Sequence, residues 1–410
     1  MAAATPPQTP RQSGVLDGLW YWVLPNTPNG LHPNQSWSGA SSLPDGGIIV
    51  GGMNHIDNAA LYRVGSGTAT VPGPRLTYVG DARTAAAAAN NLEVGEPIEK
   101  FHTKPAWVGS KVYVANLDWS LLDDTYLQRR GFHWFRYDTV AGTFKDLSAN
   151  QPGKLGAVHG GLISLVADRP RSKLYGLMAP TGDLYRYTIG TGVTTKLGRP
   201  AYGRPFVYPA RTLWTSSKGR VYFTAGSNTA SGGAPYDPAI FNHVHYWDPT
   251  TGFGEMTGWK LHDQRAIDTS QCFDGPRQCF LMDNVGHVYR YGEKASGTPT
   301  FAYLGSIGQL QDELYGATWV FHVTSDRHTA YILSRRGYFF SFNLITGVST
   351  KIGFMGNLEP SLAQLDFYGF DAWDKYGRFY FTAFEQKDPR LNNVKLVAID
   401  PARFIAAASK

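Results

Sequence analysis

Apolar and polar residues alternate with period two along short runs of this chain, and Gly, Asp, Ser and Asn punctuate the runs. Half-buried antiparallel strands joined by tight turns produce that pattern. One unit recurs: two aromatic or aliphatic positions flanking a polar one, then a glycine turn and a further strand. It reads "ALYRVGSGTATVPG", "HWFRYDTVAGTFKDLS", "DLYRYTIGTGVTTKLG", "HVHYWDPTTGFGEMTG", "HVYRYGEKASGTPTFAYLG" and "YFFSFNLITGVSTKIG", with a weaker seventh copy, "KLVAIDPARFIAAASK". The copies begin at residues 60, 133, 183, 243, 287, 338 and 395. Intervals of this size, roughly 45–75 residues, indicate a propeller or an array with one four-stranded sheet per repeat. Upstream segments such as "GGLISLVADRPRSKLYGLMAP" and "ATWVFHVTSDRHTAYILSRRG" supply a strand, a tight turn and a second strand for each repeat.

The expected fold is therefore all-β: a seven-bladed β-propeller forming a single domain over residues 1–410, with residues 1–14 as a flexible tail. The seventh copy lacks an outer strand, which would leave an open sheet edge. The strand-like "GLWYWVLP" at 18–25 is expected to complete the last blade and close the ring. Two separate β-sandwiches would need a linker near the middle of the chain, and no Ser/Pro-rich stretch lies there.

Composition adjusts this picture in three places. The two cysteines stand in "QCFDGPRQCF"; a turn centred on Gly275 and Pro276 sets Cys272 opposite Cys279, close enough for a disulfide. The small, polar, proline-rich start "MAAATPPQTPRQSG" lacks the apolar core of a signal peptide and resembles a mature secreted chain preceded by an initiator Met. The net charge of +6 suits an acidic partner. Without a basic run, nucleic acid is not expected and an acidic carbohydrate is; no apolar stretch is long enough for a membrane span. A monomer is expected.

In a propeller, the loops leading into each inner strand and those leaving each second strand share one face, where ligands meet loops from several blades. Leading into inner strands are His102 and Lys104, His159, and "AYGRPFVYPAR" with Tyr202, Arg204 and Tyr208, followed by Arg265, Tyr315 and Tyr368. Leaving second strands are Asn54 and His55, Asn116 and Asp118, and Arg335 with Arg336. His102 and Lys104 would point to the same side of an extended strand. Carboxylates are scarce on this face. A glycoside hydrolase needs two of them, and only Asp118 and Glu385, from distant blades, offer a pair. No G-x-S-x-G elbow is present. The His, Tyr, Arg and Asn residues match the needs of β-elimination next to a uronate: a base, cations for the carboxylate, and a proton donor. "HVH" at 243–245 falls on the repeated third strand and reads as structural rather than as a metal site.

Seven repeats together with "HTKPAW", "HGGLISLVADRPRSKLYGLMAPTGDLYRY" and "YGRPFVYP" resemble the seven-bladed β-propeller polysaccharide lyases. These are the ulvan lyases and, most similar, the secreted fungal enzymes that cleave rhamnose–glucuronate linkages in acidic arabinogalactans such as gum arabic. The resemblance implies cleavage by β-elimination with His102 as base, His159 or Tyr202 as its partner, and Arg204 at the carboxylate. Lys104, Tyr208, His55, Asn116 and Arg335 would line the substrate. No cofactor is required; a bound calcium ion is compatible. The alternatives are a propeller that binds carbohydrate or protein without catalysis, and a glycoside hydrolase.

Overall fold

The repeated third strand sets the architecture. In the strand Leu184–Thr188 the side chains alternate from Tyr185 on between buried and half-buried, as successive residues point to opposite faces of the sheet. The second strand beside it, Lys173–Ala179, is buried over nearly its whole length, and the outer strand, Val193–Gly198, has no buried residue. Burial therefore falls from the axis outward. This is a computed structural model; it describes residues 11–12, 17–54, 58–118, 127–200, 210–225, 243–262, 266–273, 277–308, 318–385 and 394–409.

Among the described residues seven antiparallel blade sheets follow one another along the chain, and Gly131–Phe132 pairs separately with Ala157–Val158. Blade 1 is Ala40–Ser42, Ile48–Met53, Ala59–Val64 and Leu76–Asp81. Blade 2 is Ala106–Val108, Lys111–Ala115, Trp134–Asp138 and Thr143–Asp146. Blade 3 starts with Gly161–Asp168 and continues through the three strands above. Blade 4 is Trp214–Thr215, Val221–Thr224, His243–Asp248 and Gly252–Lys260. Blade 5 is Ile267–Phe273, Gln278–Asp283, His287–Glu293 and Pro299–Ser306. Blade 6 is Thr318–Val323, Thr329–Ser334, Tyr338–Asn343 and Ser349–Phe354.

Blade 7 takes Asp366–Trp373, Phe379–Phe384 and Lys395–Ile399 from the end of the chain and Leu19–Val23 from its beginning. The register runs from Leu19 opposite Ile399 to Val23 opposite Lys395. The N-terminal strand thus closes the ring as the missing outer strand required. Trp22 is fully buried there and stacks on Tyr380 with ring centroids 6.2 Å apart. Within the expected tail, Arg11–Gln12 pairs with Trp20 and Tyr21 on the outside of this sheet.

Aromatic side chains fill the spaces between blades. Trp134 packs on Tyr187 between blades 2 and 3, and Tyr222 on Tyr291 between blades 4 and 5, each pair at 5.3 Å. Inner strands are tied by polar side chains. The Ser42 hydroxyl donates to the Trp373 carbonyl at 2.7 Å and accepts its N–H at 2.8 Å, joining blade 1 to blade 7. The Gln271 amide does the same for Val323, joining blades 5 and 6. The disulfide Cys272–Cys279 crosses the first hairpin of blade 5 in the expected register. Among the described residues no helix is long and apolar enough to cross a membrane.

Candidate functional site

Four aromatic rings gather where blades 6, 7 and 1 meet at the axis. Trp37 leads into the inner strand of blade 1; Trp319 and Tyr368 open those of blades 6 and 7, and Phe384 ends the second strand of blade 7. The other three rings stand edge-on to Trp37 at 5.4–5.6 Å. Arg211, just ahead of the inner strand of blade 4, reaches this group from the opposite side of the ring. Its guanidinium carbon is 5.0 Å from the Trp319 ring centre, 5.6 Å from Trp37 and 5.9 Å from Tyr368. A planar cation over aromatic faces is held by the ring quadrupoles while remaining able to meet an anion. Arg335 of blade 6 adds a second guanidinium, 5.1 Å from Trp319, anchored on Asp366 through Nη2 at 2.7 Å and Nε at 3.0 Å.

His102 of blade 2 borders the same aromatic group. It is buried and lies parallel to Trp37. Its Nδ1 is 3.2 Å from the carbonyl oxygen of Ile163 in blade 3. A carbonyl only accepts, so Nδ1 carries the proton and the neutral ring keeps its lone pair on Nε2. Burial, and then the positive charges of Arg211 and Lys100, push its pKa well below the ordinary imidazole range. The basic form therefore persists at neutral and mildly acidic pH.

Lys100, Glu99 and Asp118 lie behind His102. Burial brings the Lys100 ammonium down to about 8 despite the opposing charges of Glu99 and Asp118. Burial raises the Asp118 carboxyl to about 7, against hydrogen bonds from the Asn116 amide (2.5 Å) and the Glu99 N–H (2.9 Å). Asp118 also lines a cleft of about 480 Å³ whose walls include Glu96, Arg129 and Arg130. Shifts of opposite sign on adjacent groups bring an acid and a base close to neutrality, a state typical of functional sites. Asp268 of blade 5, raised to about 6 by burial, accepts the Arg211 backbone N–H.

A second buried network braces the wall of this cleft. His133 is enclosed between Asp146 (Nδ1 to Oδ2, 2.9 Å) and Glu96 (Nε2 to Oε1, 3.1 Å). Burial opposes its charge, but the two carboxylates outweigh burial and raise it to about 9. Arg130 continues the network to Glu96 at 3.0 Å and to the Asn91 carbonyl at 2.8 Å.

The structure treats the sequence candidates differently. His102 and Arg335 stand at the axial site. Lys104 is half-buried two residues on, but residues 102–105 belong to no strand, so strict side-chain alternation does not relate it to His102. His159 is exposed at the rim with its Nδ1 3.1 Å from the Arg129 carbonyl and a backbone φ of 54°; nothing brings it beside His102. Asn116 is fully buried and holds Asp118 and the His133 N–H, which makes it a brace for the site. His55, Tyr202, Arg204, Tyr208, Arg265 and Tyr315 lie outside the described residues. His243 pairs with Glu255 at 2.7 Å on the third strand of blade 4, in keeping with its structural reading. Among the described residues no three His, Cys, Asp or Glu side chains are grouped to hold a metal ion. Trp37, Trp319 and Arg211 were not singled out from the sequence, although all three stand at or next to inner-strand starts, the positions that pointed to His102.

No family model and no curated protein matches this sequence. Solved structures do. YCF48 bound to D1 peptide superposes with a TM-score of 0.52 at 10% identity, over 97% of this chain and 99% of that one. The Cps50 (Swd1) β-propeller domain from Myceliophteria thermophila gives 0.55 at 8% identity, over 96% and 100%. The WD40 repeats of RRP9 give 0.51 at 9%, over 96% and 100%. At these identities the likeness is one of fold: the chain is a seven-bladed β-propeller.

Proposed function

We propose that this propeller is a secreted polysaccharide lyase that cleaves a glycosidic bond next to a uronic acid by β-elimination, with a rhamnose–glucuronate polymer of the gum arabic type as the expected substrate. One observation carries the reading: Arg211 projects over Trp37, Trp319 and Tyr368 beside a neutral His102. Arg211 and Arg335 suit the carboxylate of a uronate, and the buried rings beneath them, at most 8% exposed, hold the guanidiniums in place. His102 Nε2 takes the proton from C5. The electron pair of that C–H bond forms the C4–C5 double bond as the C4–O bond breaks, and the guanidinium charges stabilise the carboxylate-conjugated carbanion in between. Asp118, with its raised pKa, is a candidate to return a proton to the leaving oxygen.

The test is incubation with gum arabic, ulvan and polyglucuronate, followed by the ultraviolet absorbance of the unsaturated uronate product. A new chromophore that disappears in His102→Ala supports the reading; no chromophore with any of the three overturns it. A non-catalytic carbohydrate-binding propeller is the second reading, favoured by the 5% exposure of His102. It predicts retention of these polymers without product, and retention unchanged in His102→Ala.

A further inference from the structure

On the face opposite the candidate site, the turns between inner and second strands of blades 3, 4 and 5 pack into one another. The Arg171 Nη2 donates to the Ser217 carbonyl at 2.7 Å, joining the turns of blades 3 and 4. The Arg277 Nη1 donates to the Ser216 carbonyl at 2.5 Å, joining blades 4 and 5. Glu293, where the third strand of blade 5 ends, accepts the Ser217 N–H at 2.8 Å. These contacts make one continuous surface out of three turns, and its composition is one-sided. In sequence, the stretches 168–173, 216–220 and 274–277, together with Asp248, Glu293 and Lys294, carry seven cationic residues and four acidic ones. The excess of three is half of the chain's formal +6.

The described carboxylates of this patch are engaged within it. Asp168 is buried and paired with Arg171 at 3.2 Å, Asp248 is paired with Arg220 at 2.9 Å, and Glu293 also accepts the Tyr291 hydroxyl at 2.6 Å. Lys218 and Lys294 are exposed, and Lys173 is half-exposed. The carboxylates therefore hold the turns together while the ammonium groups set the outward field.

We infer that this patch is a second, non-catalytic docking surface for an acidic polysaccharide, which holds the polymer whose uronate linkage the opposite face is proposed to cleave; in that respect it rests on the lyase reading. Charge complementarity selects a polyanion. Among the described residues these turns expose no large apolar side chain to enter a bilayer, and the nearby Trp107 ring is covered by Arg169 at 3.5 Å. Base stacking and membrane insertion both need such groups. Flexible lysines holding a carboxylated chain give weak, salt-sensitive attachment, which lets a polymer stay near the enzyme without locking it.

The triple variant Lys173→Glu, Lys218→Glu, Lys294→Glu tests this in affinity electrophoresis through polyglucuronate. At low salt the unmodified protein is expected to be retarded, less so as salt rises, and the triple variant to bind at least about tenfold more weakly. The milder triple Lys→Gln variant keeps the test available if charge reversal prevents folding. Equal retardation of variant and parent overturns the inference, and so does equal or tighter binding to single-stranded DNA or to phosphatidylserine vesicles. Activity on a short uronate oligosaccharide separates the two readings. Salt-sensitive binding lost in the variant, with no product from any uronate, leaves the docking surface standing and removes the lyase. Product formation with unchanged binding does the reverse.

Discussion

His102 lies face to face with Trp37, the ring planes 3° apart and the centroids 6.3 Å apart, so a blade 1 tryptophan fixes the orientation of a blade 2 imidazole. With Nδ1 tied to Ile163, the ring has little freedom to rotate, and its Nε2 lone pair has a set direction. Preorganisation of this kind distinguishes a base from a surface histidine.

If the propeller is the proposed lyase, the pH dependence of its cleavage follows from that burial. The folded-state pKa of His102 is lowered below the ordinary 6.5, so the ring stays unprotonated as pH falls past that value and protonates only well below it. The acid limb of kcat/KM is expected to fall well below pH 6.5. An acid limb centred at or above 6.5 would show that another group acts as base.

Arg335 is expected to read the substrate's charge. It is partly exposed beside Trp319 and held by Asp366. Arg335→Ala should lower kcat/KM on a uronate polymer about tenfold, the scale of one hydrogen bond to a charged group, while the methyl ester of the same polymer loses little. Equal losses on acid and ester would place Arg335 in the scaffold.

His133 gives the fold an alkaline limit. Its pKa rises from 6.5 unfolded to about 9 folded. The group gains stability from its charged form, fully present below about 6.5 and lost as pH rises through about 9. The shift corresponds to about 3 kcal/mol. Melting temperature should therefore decline between these two pH values in the parent protein, and His133→Gln should be less stable at neutral pH with a flatter decline. Parallel curves for the two proteins would contradict the assignment.

Closure by Leu19–Val23 makes Trp22 a stability determinant remote from the site. Trp22→Ala empties a fully buried position against Tyr380 and should cost about 3–5 kcal/mol. Urea unfolding measures it. A loss below about 1 kcal/mol would mean that the ring holds without a fully packed seventh blade.

The fold was legible because each blade repeats the same local grammar. The copies beginning at 183 and 287, for example, both became third strands, Leu184–Thr188 and His287–Glu293. The register of Cys272 with Cys279 followed from one turn, and the missing outer strand followed from the incomplete seventh copy. The site was legible only in part. Period-two logic placed His102 and Arg335 on the face where the structure has them beside Trp37 and Trp319, but failed at residues 102–105, where the backbone is not extended in a strand. Arg211 could not be matched to Trp37 and Trp319 from the sequence, because their meeting depends on the width of a closed ring rather than on spacing along the chain. Asn116, expected as a substrate contact, is buried and holds the Asp118 carboxylate and the His133 N–H, partners that spacing along the chain did not point to.

The pairing of Leu19–Val23 with Lys395–Ile399 also makes ring closure a contact of very long sequence separation. Leu19–Val23 has no partner on one side until Lys395–Ile399, six blades further along the chain, is in place. Six blades can assemble from neighbouring segments, but the seventh must close the longest loop in the ring, the slowest kind of contact to form. Until then Leu19, Trp20 and Trp22, all buried in the finished ring, stay uncovered, the kind of apolar edge through which partly folded chains associate.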